Sequence, residues 1–162
     1  MTATRHYPDV LLSIKPCYVE AIFSGTKRVE FRKKVLNGLF MGELLIDPVD
    51  VYLYASVPVK RIVGVCNLTP LMCDYADSLF LKYGAVGGIS RQALAKYAGA
   101  NKVWACEIGD AETFVQSCDP CSVFRGFVPP QNMRYCTEKE KQTLRRYCSN
   151  YDTDTEETEQ YE

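Results

Sequence analysis

An α+β fold, a small β-barrel with interspersed helices, is what this sequence predicts. Three observations carry the prediction. Short apolar runs with strand-like alternation recur along the chain, and two of them (51–55 and 61–68) are joined by the turn Ser56-Val57-Pro58, the pattern of a hairpin in an antiparallel sheet. Helical patterns with recognisable caps lie between the strand-like runs. The chain has 162 residues, 47% hydrophobic and 24% charged, which suits one soluble domain with a real core. Strands mixed with helices in this way point to the α+β class.

The elements follow in order. Residues 9–15 alternate weakly and form a first strand. Pro16 opens a helix, where its missing N–H costs nothing, and Gly25 caps its end. Within that helix Tyr18, Val19, Ile22 and Phe23 share a face. Residues 27–32 form a strand in which Val29 and Phe31 face one way, and Arg28, Glu30 and Arg32 the other. Residues 38–48 read as a connection. After the hairpin, 70–83 reads as a helix on the spacing of Leu71, Tyr75, Leu79 and Leu81, and 84–88 as a glycine-containing loop. Ser90 caps a helix over 91–98 that Gly99 ends. Residues 103–108 are a strand around Trp104, the single tryptophan, with Phe114-Val115 as its continuation. Pro129-Pro130 marks a turn. A polar helix over 137–147 starts at Thr137, with Glu140 at capping-box spacing.

Charge and cysteine content narrow the function classes. No apolar run approaches the roughly 18 residues of a membrane span, and Val10-Leu11-Leu12 is too short for a secretory signal. A cytoplasmic protein is expected. The net charge of −1 hides an asymmetry: six of the 20 acids lie in 151–162, which has no base, and the rest of the chain carries 19 bases against 14 acids. That tail has the composition of a disordered segment. It serves as a solubilising tail, as an acidic strand competing with nucleic acid for the basic body, or as a docking element for a protein partner together with the helix over 137–147. Eight cysteines are present. Cys66 and Cys106 sit in apolar strands and read as small buried hydrophobes. Cys118-Asp119-Pro120-Cys121 is a C-x-x-C that would need Cys136 and Cys148 to complete a zinc site. No second C-x-x-C stands beside it, and the single histidine, His6, lies far away, so neither a metal nor a cofactor is expected.

The informative constellation is basic: Lys15, Lys27, Arg28, Arg32, Lys33 and Lys34, with Glu20 and Glu30 among them. One reading is a solvated face with local ion pairs. The other is an anion site where cations and backbone N–H groups meet phosphate. Tyr54 and Tyr83 would add stacking surface, and Gly84, Gly87 and Gly88 either serve the turn alone or allow close backbone approach to a ligand.

On these residues the chain resembles a known family. Gly25-Thr26-Lys27-Arg28-Val29-Glu30-Phe31-Arg32 matches G-x-K-x-x-E-x-R, the hallmark of ASCH domains in the PUA-like superfamily. The order of other segments is similar too: Leu11-Leu12-Ser13-Ile14-Lys15-Pro16 before the motif, then Tyr52-Leu53-Tyr54-Ala55-Ser56, Lys60-Arg61-Ile62-Val63-Gly64, Lys82-Tyr83-Gly84, Gly88-Ile89-Ser90-Arg91 and the closing Pro129-Pro130-Gln131. The resemblance implies a PUA-like β-barrel flanked by helices over 9–136, a C-terminal helix over 137–149 and an acidic tail over 150–162. It also implies a cleft beside the motif for RNA or a modified nucleoside or nucleotide. The expected ligand-binding residues are Lys15, Lys27, Glu30, Arg32, Tyr54, Ser56, Gly87 and Gly88, with Glu30 and Arg32 alternatively a structural ion pair.

Two enzyme readings accompany the binding module. One branch of the family hydrolyses acetylated cytidine with a Lys, a Thr and a Glu. Here Lys27 matches the Lys, Glu30 stands at the Thr position and Gly87 near the Glu position, so that triad is incomplete. The other reading is a metal-independent ribonuclease. In either case Lys27 and Glu30 are the expected catalytic pair, with Ser56 as a further helper.

Overall fold

The structure, a computed structural model, describes residues 9–36 and 49–148. The expected connection 38–48, His6 and the acidic tail 150–162 lie outside the described residues. The elements are β1 (Val10–Ile14), α1 (Pro16–Ser24), β2 (Val29–Arg32), β3 (Asp50–Ala55), β4 (Arg61–Asp74), α2 (Ala76–Tyr83), a 3-10 turn (Gly84–Val86), α3 (Arg91–Ala98), β5 (Val103–Cys118), α4 (Pro120–Val123), β6 (Met133–Tyr135) and α5 (Glu138–Arg145).

Among the described residues, six strands form one curved, mixed sheet, a half-barrel, in the order β2-β5-β4-β3-β1-β6. β1 and β3 pair in parallel, with Val10 opposite Val51 and Ile14 opposite Ala55, and the remaining pairs are antiparallel. A parallel pair buried on both faces reads as a continuous apolar run, and β1 and β3 do so. Val10, Leu12, Ile14, Val51, Leu53 and Ala55 pack with Val19 and Ile22 of α1 on one side. Leu11, Tyr52 and Tyr54 pack with Phe114, Phe124 and Leu144 on the other. A third apolar cluster joins Val29 and Phe31 of β2 to Leu79, Leu94 and Val103, seating α2 and α3 on the outer end of the sheet. Gly64 lets α1 approach β4: a Cβ there would collide with the Phe23 ring and the Glu112 carbonyl.

The expected helix over 70–83 is a correction. β4 continues through Asp74, paired with Val103 of β5, and the helix begins only at Ala76. Pro70 is tolerated because the register shifts between Pro70 and Met72. Of the four residues whose spacing suggested a helical face, only Leu79 is buried, while Leu71, Tyr75 and Leu81 are exposed. β5 takes in Phe114 and Val115, as the sequence suggested, and runs to Cys118. The C-terminal helix starts with the expected capping box: Glu140 N donates to Thr137 Oγ1 (3.1 Å) and Thr137 N donates to Glu140 Oε1 (2.8 Å). Among the described residues no helix is long and apolar enough to cross a membrane.

Candidate functional site

The site grows from the turn after α1. Gly25, at φ +82°, reverses the chain, and its N–H donates to the Ile22 carbonyl. Lys27 N donates to the Ala21 carbonyl (3.0 Å), so Lys27 belongs to this turn and β2 starts only at Val29. That detachment from the strand lets Lys27 point toward the same place as Glu30 and Arg32, which strict alternation would forbid.

Lys27 and Glu30 are both buried, at 3% and 5% exposure. Lys27 Nζ donates to the Val29 carbonyl (2.8 Å) and to the Gly87 carbonyl, and lies 3.2 Å from Glu30 Oε2. The rings of Tyr18 and Phe31 flank it, with centroids at 5.1 and 5.7 Å. Two of the ammonium protons thus meet backbone carbonyls, while the Glu30 carboxylate lies within ion-pair distance. Burial lowers the Lys27 pKa from its ordinary value and Arg32 adds to that, while Glu30 opposes it.

Glu30 Oε1 lies 3.1 Å from Arg32 Nε, which makes Lys27–Glu30–Arg32 a buried charge triad. Glu30 Oε2 and Arg32 Nε are shielded from solvent and have no aligned hydrogen bond among the described residues, so the attraction within the triad is chiefly Coulombic at those atoms. Arg32 continues across the sheet. Its Nη1 donates to Asn132 Oδ1 (3.0 Å) and its Nη2 to the Ser13 carbonyl (2.9 Å). Asn132 Nδ2 donates to the Lys34 carbonyl (2.9 Å), and Ser13 Oγ to the Pro130 carbonyl (2.6 Å). β2 and β6 are the two outer strands of the sheet, so these side-chain bonds close the seam that backbone pairing leaves open.

A cavity of about 830 Å³ lies at this seam. Among the described residues, six basic side chains line it (Lys15, Lys27, Arg32, Lys33, Lys60, Lys96) against one carboxylate, Glu30. Tyr18, Tyr54 and Tyr97 supply aromatic wall, and Ser13 and Ser56 hydroxyls. Tyr54 is buried in β3, and that burial pushes its hydroxyl pKa up. Ser56 N donates to the Ile14 carbonyl (3.0 Å), which pins the next turn to β1. At the end of that turn Lys60 takes φ +54°, a left-handed conformation rare for a residue with a Cβ.

Of the residues singled out in the sequence, Lys15, Lys27, Glu30, Arg32, Tyr54 and Ser56 come together around this cavity. Gly87 and Gly88 are not among its lining residues and instead pack over Lys27. The Gly87 carbonyl accepts from its ammonium, and a Cβ on Gly88 would sit 3.1 Å from its Cδ. Sequence reasoning passed over Ser13, Tyr18, Lys60, Lys96 and Tyr97 as site residues. Lys60 follows a turn with no periodicity to read, and Lys96 and Tyr97 arrive on α3 from a distant stretch of chain. Cys118 is buried and Cys121 exposed, and among the described residues no group of three or more His, Cys, Asp or Glu side chains is placed to hold a metal.

No family model matches this chain. A protein of Zymomonas mobilis subsp. mobilis named "ASCH domain-containing ribonuclease" is 27% identical over 147 residues, spanning 89% of this chain and 95% of that protein. The crystal structure of ASCH from Zymomonas mobilis superposes with a TM-score of 0.71 at 26% identity, over 85% of this chain and 93% of that one. A mutant protein from the same organism gives a TM-score of 0.71 over 85% and 96% of the two chains, at 24% identity, a likeness of fold. The mixed half-barrel, the motif turn with its charge triad and these likenesses together support an ASCH domain with a PUA-like fold.

Proposed function

We propose that this chain binds RNA in the basic cleft and cleaves it there. One observation carries the reading: among the described residues, the cavity beside the motif turn sets six cations against one carboxylate and adds three tyrosine rings. Cations recognise the phosphate backbone, rings stack on unpaired bases, and together they describe a site for single-stranded RNA. The relative named as a ribonuclease, matched over nearly its whole length, supports the choice of RNA and of cleavage.

RNA carries its own nucleophile, the ribose 2′-hydroxyl. Attack on the adjacent phosphorus forms a new P–O bond, breaks the bond to the 5′-oxygen and moves one proton off the nucleophile and one onto the leaving oxygen. The protein has to hold the phosphate in line, neutralise the charge that builds up and manage those protons. In this reading Lys15 and Lys60 face the non-bridging oxygens. Tyr54, a phenol that is protonated at neutral pH, donates to the leaving oxygen. Glu30, the carboxylate among the lining residues, accepts from the 2′-hydroxyl. Lys27 acts through position and charge: its Nζ, held by the Val29 and Gly87 carbonyls and 3.2 Å from Glu30 Oε2, fixes Glu30 and lends positive charge to the floor of the cleft.

Hydrolysis of an acylated nucleoside gains less support. It would ask Lys27 to work as a neutral base or nucleophile while its Nζ is held by two backbone carbonyls and lies 3.2 Å from the Glu30 carboxylate. The test is a mass-spectrometric turnover assay on single-stranded RNAs, plain nucleosides and acylated nucleosides, with Lys60→Ala and Glu30→Gln alongside. The reading expects RNA fragments ending in a 2′,3′-cyclic phosphate, no cut in a 2′-O-methyl RNA, and strong loss in both variants. Deacylated nucleoside with intact RNA would replace RNA cleavage with amide hydrolysis. Binding without any product would reduce the function to a binding module.

A further inference from the structure

The cleft has a second, built-in candidate occupant. Lys15, Lys33, Lys60 and Lys96 are exposed on its walls, and none forms an ion pair with a described residue. Their charge is therefore available to an anion from outside the described fold. The same chain carries such an anion. Residues 149–162 hold six carboxylates (Asp152, Asp154, Glu156, Glu157, Glu159, Glu162), no base, and the rings of Tyr151 and Tyr161.

The two surfaces also match in kind. In an extended chain alternate residues project to one side about 7 Å apart. Asp152, Asp154 and Glu156 would then present a row of single negative charges, as the successive phosphates of an extended nucleic-acid strand do. The tyrosines stand in for bases against a wall that offers Tyr18, Tyr54 and Tyr97. The segment is a chemical counterpart of the ligand proposed for the site.

It also starts close enough. The described chain ends at Cys148, just after the Tyr147 ring packs 5.5 Å from the Phe114 centroid, within the apolar cluster that contains Tyr52 and Tyr54. Tyr54 belongs to the cleft wall, and β3 spans roughly 13 Å between the level of Tyr52 and that of Ser56. Fourteen residues reach about 45 Å fully extended and have a root-mean-square span near 20 Å as a flexible chain. Charge, ring content and reach converge on one occupant.

We propose that residues 149–162 dock in the basic cleft of their own chain and compete there with RNA. The competition depends on the RNA reading above, whereas occupancy of the cleft does not. A tethered segment has an effective concentration near 1 mM, so an intrinsic affinity of about 0.1–1 mM would weaken RNA binding about 2- to 10-fold. The effect fades as salt screens both partners.

The test uses the full chain and a full-length variant whose six tail carboxylates are changed to amides (Asp152→Asn, Asp154→Asn, Glu156→Gln, Glu157→Gln, Glu159→Gln, Glu162→Gln). Two readouts are taken: affinity for a labelled 2′-O-methyl RNA, and the rate at which Lys15, Lys60 and Lys96 are acetylated without RNA, followed by mass spectrometry. The variant is expected to bind the RNA 2- to 10-fold tighter at about 50 mM salt, with the gap closing near 500 mM. Its cleft lysines are expected to react faster, and a free peptide of 149–162 to slow them again. Equal acetylation rates in the two proteins would overturn the proposal whatever the RNA does. Faster acetylation with no RNA binding by either protein would uphold the docked tail and overturn the RNA reading instead.

Discussion

Replacing Arg32 with Ala opens the seam of the half-barrel. The change removes the 3.1 Å contact to Glu30 and the hydrogen bonds to Asn132 Oδ1 (3.0 Å) and the Ser13 carbonyl (2.9 Å). It also leaves Glu30, with 7% of its side chain exposed, facing Lys27 alone. Breaking a buried pair by deleting one partner costs about 3–5 kcal/mol, and charge-assisted hydrogen bonds about 1.5–3 each. These terms overlap because they share one guanidinium, so the expected loss is about 3–5 kcal/mol in all. Against a domain stability of about 5–15 kcal/mol this is a large fraction, and melting should fall by roughly 6–20 °C. The assay is urea unfolding of Arg32→Ala, Glu30→Ala and the double variant, with exposed Lys33→Ala as a control expected within about 0.5 kcal/mol of wild type. The cycle should give a coupling of about 1–3 kcal/mol between Glu30 and Arg32. A loss below about 1 kcal/mol, or coupling indistinguishable from zero, would refute the argument that this chain of bonds closes the sheet.

Three further outcomes follow from the same structure. Gly87→Ala would put a Cβ 2.6 Å from Phe31 Cε2 and Gly88→Ala would hold alanine at φ +63°, so each should cost about 1–3 kcal/mol in urea unfolding. Burial opposes ionisation of Glu140, but the bidentate bond from Arg134 and the Thr137 cap outweigh it and hold the carboxyl below its unfolded value near 4.5. That stabilisation is full above pH 4.5 and fades as pH falls through the lower folded value, so the advantage of wild type over Glu140→Gln should shrink on acidification, as unfolding curves across pH 3–6 will show. Alkylation at neutral pH should modify exposed Cys17 and Cys121 first, with Cys66 and Cys106 inert until unfolding because burial pushes both thiols up to about 12.

Local signals made much of the fold legible. Pro16 and Gly25 bracket α1, Ser90 and Gly99 bracket α3, and Thr137 with Glu140 opens α5, because caps act through neighbours in sequence. The helix expected over 70–83 failed for a tertiary reason: pairing of Met72, Cys73 and Asp74 with β5 overrides a spacing whose residues turn out mostly exposed. The motif brought Lys27, Glu30 and Arg32 together on paper, but the closure of the seam depends on Asn132, 100 residues from Arg32, and Ser13, 19 residues from it, and no local pattern announces that. Lys60, Lys96 and Tyr97 reach the cavity only because β3, β4 and α3 are folded around it. Gly87 and Gly88 illustrate the converse, since glycines near a ligand cleft can serve the residue beneath it, here Lys27.

The most direct test of the central claim is the salt dependence of binding to a single-stranded 2′-O-methyl RNA, which lacks the nucleophile and so stays intact. Four exposed lysines on the cleft wall predict that log K falls against log salt with a slope of about −2.8. Lys60→Ala and Lys15→Ala should each make that slope shallower by about 0.7 while leaving the unfolding curve in place. Binding that ignores salt, or that survives both substitutions unchanged in strength and slope, would contradict the assignment of this cleft to RNA.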